Sequence, residues 1–350
     1  HCVTRRQRQM CIRDRVLDAF DEHNLWEDTM LIVNTDHGLL MGEHDWWAKV
    51  VTPFFQEIAH IPFWAYDPRT PDKVDKKSDA LAQTIDLGPT ILDFFNIPLT
   101  EDMQGKPIFD YTSAEKEIRQ ASLYGVMGGQ VNVTDGEYVY MRANTTEDNK
   151  PLFDYTLMPT HMKNRFKPRE LQEWEKVEGF GFMKGCKVMQ IPTRTFPIFY
   201  SKDNPLGRGR TATLLFDVNA DPGQLNPLDD QAIEMRMITL MIKEMARNEC
   251  PSEQYLRLGL PEPERLGKGH GDDLIKMPSD KAILDSCVLK KPQGVESAKH
   301  GAEGFPKMPF KDVFWEGEKT LRSTTFPDNL RLRPGYLISQ SDGPIKKDKK

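Results

Sequence analysis

Thr29-Met30-Leu31-Ile32-Val33-Asn34-Thr35-Asp36-His37-Gly38 is a short apolar run of strand length that closes on a carboxylate, an imidazole and a glycine. A run this short and this apolar predicts a buried strand of a parallel sheet. Upstream, Val16, Leu17, Phe20 and Leu25 fall on one helical stripe, broken at Asp28-Thr29. Helix, buried strand and polar strand end, in that order, predict an α/β sheet with a site at the strand's carboxyl edge. Gly38 frees the backbone to turn sharply or to approach a neighbour closely.

The polar string continues as Leu39-Leu40-Met41-Gly42-Glu43-His44-Asp45-Trp46-Trp47-Ala48-Lys49. Asp36 offers a hard anionic oxygen for a divalent cation such as Ca²⁺ or Mg²⁺. A neutral His37 can give a ring nitrogen to the same ion or face a substrate. Lys49 carries a mobile point charge suited to a tetrahedral oxyanion. An Asp-His-Gly by itself reads first as a strand-to-loop turn in which Asp caps a helix. For His44 two readings stand, a substrate contact and a loop histidine with a structural hydrogen bond. Glu43 reads as a structural partner. Asp45, Trp46 and Trp47 are candidates for a pocket mouth, with packing expected for at least one Trp. A zinc site from His37, His44 and His60 is a weaker alternative.

Further along, Ile61-Pro62-Phe63-Trp64-Ala65-Tyr66 reads as a strand with its proline at the start or an edge. Asp86 to Phe95 reads as a helix with proline in its first turn, stopped at Asn96-Ile97-Pro98. After about residue 110 the texture changes. Gln130–Thr134 and Glu137–Met141 flank Asp135-Gly136, a hairpin pattern. Residues 150–210 read as irregular. Thr213–Val218 is a predicted strand, and Leu228–Arg247 an amphipathic helix whose Ile233, Met237, Leu240, Met241 and Met245 face a core. Residues 251–350 read as a loosely ordered, Pro- and Gly-rich extension.

Composition sets the outer bounds. The 350 residues hold 47 Lys+Arg against 53 Asp+Glu, a formal net charge of -6, which argues against a dedicated nucleic-acid binder. No apolar run approaches the roughly 18 residues of a membrane-spanning helix. Five cysteines, an odd number, make no disulfide framework and leave the redox compartment open. Residues 1–15 carry five Arg and one acid, without visible helical or strand periodicity, and Arg6 to Arg15 resembles a translated sequencing adapter. A non-native tail is therefore expected there. Asn132-Val133-Thr134 and Asn144-Thr145-Thr146 fit glycosylation acceptors, a pattern common by chance.

Taken together, the landmarks resemble the sulfatase family of the alkaline phosphatase superfamily. The Asp36-His37-Gly38 strand end, Gly42-Glu43-His44 and a lysine thirteen positions after Asp36 are similar to that family's second metal motif. His60-Ile61-Pro62-Phe63, Asp86-Leu87-Gly88-Pro89-Thr90 and Gln104-Gly105-Lys106-Pro107 follow in the family's order. Thr134–Tyr140 and Leu215–Asn226 resemble its C-terminal strands. The resemblance spans Val16 to about Arg247 and implies an α/β fold, an alkaline phosphatase-like sheet flanked by helices and present in part (16–110). A smaller C-terminal α+β subdomain of antiparallel strands with one amphipathic helix follows (111–250). It further implies metal ligation by Asp36 and His37, catalytic contacts from Lys49 and His44, and a divalent metal, Ca²⁺ before Mg²⁺. The implied partner is a sulfated small molecule or sulfated carbohydrate.

The resemblance has a gap. The family's nucleophile, a Cys or Ser in Cys/Ser-x-Pro/Ala-x-Arg that becomes formylglycine, has no match in these residues, nor has the first-strand Asp-Asp pair. Cys250-Pro251-Ser252-Glu253-Gln254 lacks the arginine, and the arrays at Cys2 and Cys11 lack the proline. Formylglycine is therefore expected only in an N-terminal part outside this sequence, and the chain reads as a fragment. A phosphoester or phosphonate hydrolase, or a non-catalytic binding module on the same fold, are the alternatives.

Overall fold

The computed structural model describes residues 5–45, 47–49, 53–71, 77–109, 119–146, 148–158, 160, 165–193, 213–267 and 272–287. Helix α1 (Arg5–Glu22) comes first. It extends well ahead of the predicted Val16 stripe, because Arg, Gln and Met are good helix formers and propagation from an existing turn is cheap. Among its described side chains only Phe20 is buried. Phe20 packs on Trp26 (centroids 4.7 Å), which meets Tyr66 edge-on, and the Tyr66 hydroxyl donates to the Trp26 carbonyl at 2.7 Å.

Strand β1 (Leu31–Asn34) is followed by the short ribbon of β2 (Leu40–Met41) and β3 (Trp47–Ala48), the turn of helix α2 (Gln56–Ala59), and β4 (Phe63–Tyr66). The expected buried parallel strand is not what β1 forms. It pairs antiparallel with β4, Val33 opposite Trp64, and those two side chains are 42% and 64% exposed. A buried parallel strand needs neighbours on both edges and cover on both faces, and the described residues give β1 one neighbour. Helix α3 (Leu87–Phe94) carries Pro89 in its first turn, as predicted. The buried Asp86 carboxylate anchors its start, accepting from the Gln83 and Lys106 backbone N–H groups and from Arg119.

The C-terminal part is built on a four-stranded antiparallel sheet in the order β11-β7-β6-β5, from Ser122–Gly125 (β5), Val131–Thr134 (β6), Tyr138–Arg142 (β7) and Leu214–Asp217 (β11). The predicted hairpin is β6–β7. Asp135 Oδ1 accepts from the Glu137 and Tyr138 backbone N–H groups, and Gly136 takes φ +95°. Residues 150–210, predicted irregular, contain a second sheet in the order β8-β10-β9 (Phe153–Thr156, Val188–Pro192, Glu175–Val177). Its strands are short and do not alternate cleanly, which explains why it escaped the pattern. Helix α4 (Gln231–Arg247) buries Met237, Ile238, Met241, Ile242 and Met245 against Val133, Tyr140 and Leu215. The methionine stripe is core.

The predicted loose extension gives way, over 251–287, to helix α5 (Ser252–Leu258), the ribbon β12–β13 (Glu264–Arg265, Ile275–Lys276) and helix α6 (Asp280–Ser286). Tyr255, Leu258, Ile283 and Cys287 belong to the same core as α4, so few apolar residues suffice to fix a Pro-rich segment. The rest of that extension, 288–350, lies outside the described residues. Asn132 is fully buried with Nδ2 donating to the Tyr124 carbonyl, which closes it as a glycosylation acceptor. The whole is a mixed α/β chain in which every described strand pairing is antiparallel. Among the described residues no helix is long and apolar enough to cross a membrane.

Candidate metal and oxyanion site

Strand β1 ends at Asn34, and the next residues leave the ladder at once. His37 turns back on itself: its Nδ1 lies 2.8 Å from the Gly38 carbonyl oxygen. A carbonyl only accepts, so Nδ1 carries the proton and Nε2 presents its lone pair. Toward that lone pair come Lys49 Nζ at 2.5 Å and Asp36 Oδ2 at 3.3 Å. Three side chains separated by up to thirteen positions in sequence thus meet at one nitrogen. The Asp36 side chain is largely exposed (81%) and the His37 side chain half-buried. For Asp36, burial by itself raises the carboxyl. The His37 imidazole beside it, the Asp36 and His37 backbone N–H groups and Lys49 outweigh it, and the carboxyl sits below its ordinary value.

Two donors about 3.3 Å apart are what neighbouring ligands of one hard cation show when each bond is about 2.3 Å. Asp36 Oδ2 and His37 Nε2 therefore fit as two adjacent positions of a coordination sphere, which a cation would enter in place of the Lys49 ammonium at that lone pair. They do not fill one. Among the described residues no three His, Cys, Asp or Glu side chains gather, so the trio His37, His44 and His60 forms no zinc cluster there.

The contacts of His44 lie elsewhere. Its backbone is left-handed (φ +53°), and its ring stacks on Phe55 with centroids 3.6 Å apart and planes 8° apart. The side chain is 6% exposed and Nε2 stands 3.6 Å from Glu57 Oε2, too far for a hydrogen bond. The ring is packed in the loop, and its Nε2 has no hydrogen-bond partner among the described residues. Glu43 accepts from the Met41 backbone N–H at 2.5 Å, a turn contact. Trp46, and the side chains of Asp45 and Trp47, lie outside the described residues. Cys250 is no activated thiol: burial first, with Glu253 beside it, pushes it up to about 12.

Gly38 positions the strand end. Its N–H donates to the Ile58 carbonyl at 2.9 Å, and a Cβ at 38 would stand 1.7 Å from the Glu57 carbonyl oxygen. Helix α2 is thus pressed directly on the Asp-His-Gly turn. On its other side Phe55 inserts into the sheet face formed by Val139, Met141, Leu214 and Phe216. The sheet accordingly carries α4 on one face and the site loop on the other. Sequence reasoning missed Phe55, Glu57 and Gln224, whose Oε1 accepts from the Gln56 N–H at 2.7 Å. Phe55 and Glu57 lie in a stretch the sequence left unmarked, Gln224 in the Leu215–Asn226 string without a role, and only the fold brings them to the site.

Comparison with known proteins agrees with the motif. Residues 13–97 match the family model described as Sulfatase. An arylsulfatase of Clostridium perfringens is 32% identical over 113 residues, covering 32% of this chain and 23% of the relative. An N-acetylglucosamine-6-O-sulfatase of Bacteroides thetaiotaomicron is 27% identical over 99 residues, covering 27% of this chain and 17% of the relative. The chain thus spans less than a quarter of the length of these two. The solved structure of BT4656 in complex with its substrate D-glucosamine-2-N,6-O-disulfate aligns with TM-score 0.42 and 14% identity, over 69% of this chain and 38% of that one.

Proposed function

We propose that this chain supplies one side of a sulfuric ester hydrolase site, with Asp36 and His37 as ligands of a divalent cation, Ca²⁺ before Mg²⁺, and Lys49 as the oxyanion contact. The observation that carries it is the convergence of Asp36 Oδ2 and Lys49 Nζ on His37 Nε2, inside the segment that matches the sulfatase family. When bound, the cation polarises the sulfate oxygens. The Gly38 carbonyl holds His37 in the tautomer whose Nε2 can ligate. Lys49 offers a movable ammonium that compensates charge on a sulfate oxygen. His44, stacked on Phe55 and facing Glu57, supports the loop rather than touching substrate. The names of the relatives, an arylsulfatase and an N-acetylglucosamine-6-O-sulfatase, favour a sulfated carbohydrate or other sulfate monoester as substrate.

The reading also holds that this chain is incomplete as a catalyst. Two ligands are few for a hard cation that takes about six to eight, and the sequence holds no Cys-x-Pro-x-Arg nucleophile motif. The isolated chain is expected to bind Ca²⁺ more weakly than about 10⁻³ M and to turn over no p-nitrophenyl sulfate. Ca²⁺ titration followed by NMR should move the Asp36 and His37 signals selectively, and Asp36→Asn should abolish the movement. Substantial sulfate ester turnover that disappears in Lys49→Ala would overturn the incompleteness. Ca²⁺ shifts that spare residues 36 and 37 would overturn the ligand assignment.

A further inference from the structure

We propose that Gln224 is a positioning residue for the Asp36–His37–Lys49 site, acting through Gln56, helix α2 and Gly38 to hold the His37 ring. The path is three hydrogen bonds joined by short stretches of backbone. Gln224 is 2% exposed, with left-handed backbone (φ +49°), and its Oε1 accepts from the Gln56 backbone N–H at 2.7 Å. That N–H opens helix α2, whose N-cap residue, Phe55, provides no side-chain cap, so Gln224 supplies the missing acceptor from 168 positions away. Helix α2 then offers the Ile58 carbonyl to the Gly38 N–H at 2.9 Å, with the Glu57 carbonyl pressed where a Cβ at 38 would lie. Gly38 in turn presents the carbonyl that takes the His37 Nδ1 proton at 2.8 Å.

Gln224 is itself firmly held. It follows the Asp217–Gly223 turn at the end of β11, where Asp217 Oδ1 accepts from the Asn219 and Ala220 N–H groups and Gln224 N–H donates to the Asp221 carbonyl. The ring of Phe216, in the last part of β11, meets Phe55 edge-on at 6.3 Å. Strand β11 and the turn that follows it therefore grip the start of α2 twice, by the Phe216–Phe55 contact and by the Gln224–Gln56 hydrogen bond. A ring nitrogen that must point its lone pair at an ion depends on the partner of its other nitrogen. Here that partner's own position is set from the C-terminal sheet.

That the held ring serves a cation rests on the function proposed above; the tie itself is read on the chain alone. The experiment is long-range ¹H–¹⁵N NMR of His37 at about pH 8, above the ordinary imidazole range. In the unsubstituted chain the pattern of an Nδ1-protonated ring is expected. Gln224→Met keeps the volume and removes the acceptor. It should raise the exchange rate of the Gln56 amide about tenfold and shift His37 toward a mixture of tautomers. Gln224→Glu keeps an acceptor oxygen at the same reach and should restore the Nδ1-protonated pattern. Gln56→Pro removes the donor from the opposite end at a helix position that tolerates proline. It should shift His37 as Gln224→Met does, and it reads the same contact if Gln224→Met fails to fold. An unchanged His37 pattern in either donor- or acceptor-free variant overturns the proposal. So does a Gln224→Glu chain that behaves as Gln224→Met does. A Ca²⁺ titration of the same samples reads the metal role separately, so the two can fail independently.

Discussion

Gly38→Ala tests how the site is assembled. The added methyl carbon would stand 1.7 Å from the Glu57 carbonyl oxygen, 2.7 Å from its carbon and 3.1 Å from Ile58 Cα. All three are backbone atoms, so no side chain can swing away. Either α2 retreats or the Asp-His-Gly turn does, and in both cases the Gly38 N–H to Ile58 carbonyl bond is lost. The lost hydrogen bond is worth about 1 kcal/mol, and forced backbone displacement in a packed region adds about 1–3 kcal/mol. A local destabilisation of about 2–4 kcal/mol corresponds to ~30- to ~700-fold faster exchange of the amides in this contact. Native-state hydrogen exchange measures it directly at Gly38 and at the α2 amides. The α4 core is expected to keep its protection, because none of the displaced atoms belongs to it. His37 should lose its Nδ1-protonated pattern in the same sample. Exchange at Gly38 and α2 within twofold of the unsubstituted chain would refute the close approach of α2 to this turn.

Two further outcomes follow from the C-terminal core. Asp230 caps α4, its Oδ1 accepting from the Ala232 and Ile233 N–H groups at 2.9 and 3.0 Å; Asp230→Ala should cost about 1 kcal/mol in urea unfolding, and an unchanged midpoint and slope contradict the cap. Glu234 is buried beneath the sheet, and burial raises its carboxyl above the ordinary 4.5 despite the Tyr140 hydroxyl and Arg142. The folded chain then holds this proton where the unfolded chain has released it, so stability falls as pH rises from about 4.5 through the raised value. Glu234→Gln, which can still accept from Tyr140, should flatten that part of the melting-temperature profile, and a slope unaltered by the substitution speaks against the assignment.

Local pattern carried much of this protein. The Asp135-Gly136 hairpin, the α4 stripe and the Pro89 helix start each depend on neighbours within a few residues, so their periodicity and turn chemistry are written in the chain. The Asp36, His37 and Lys49 set was legible as residue types at a spacing, which fixes what chemistry is available. Burial on both faces is another matter. The apolar run at 29–35 reads the same whether its neighbours are two parallel strands or one antiparallel strand, because periodicity reports a side chain's character and not its partners. That the His37 lone pair faces Lys49 and Asp36 was likewise set by the fold, through α2 pressed on Gly38. The role of Gln224 was decided there too, since a hydrogen bond spanning 168 positions forms only after the sheet carrying β11 has packed on Phe55. Sequence by itself determined which groups stand at this strand end; the packing of that strand end and one helical turn on the C-terminal sheet decided how they point.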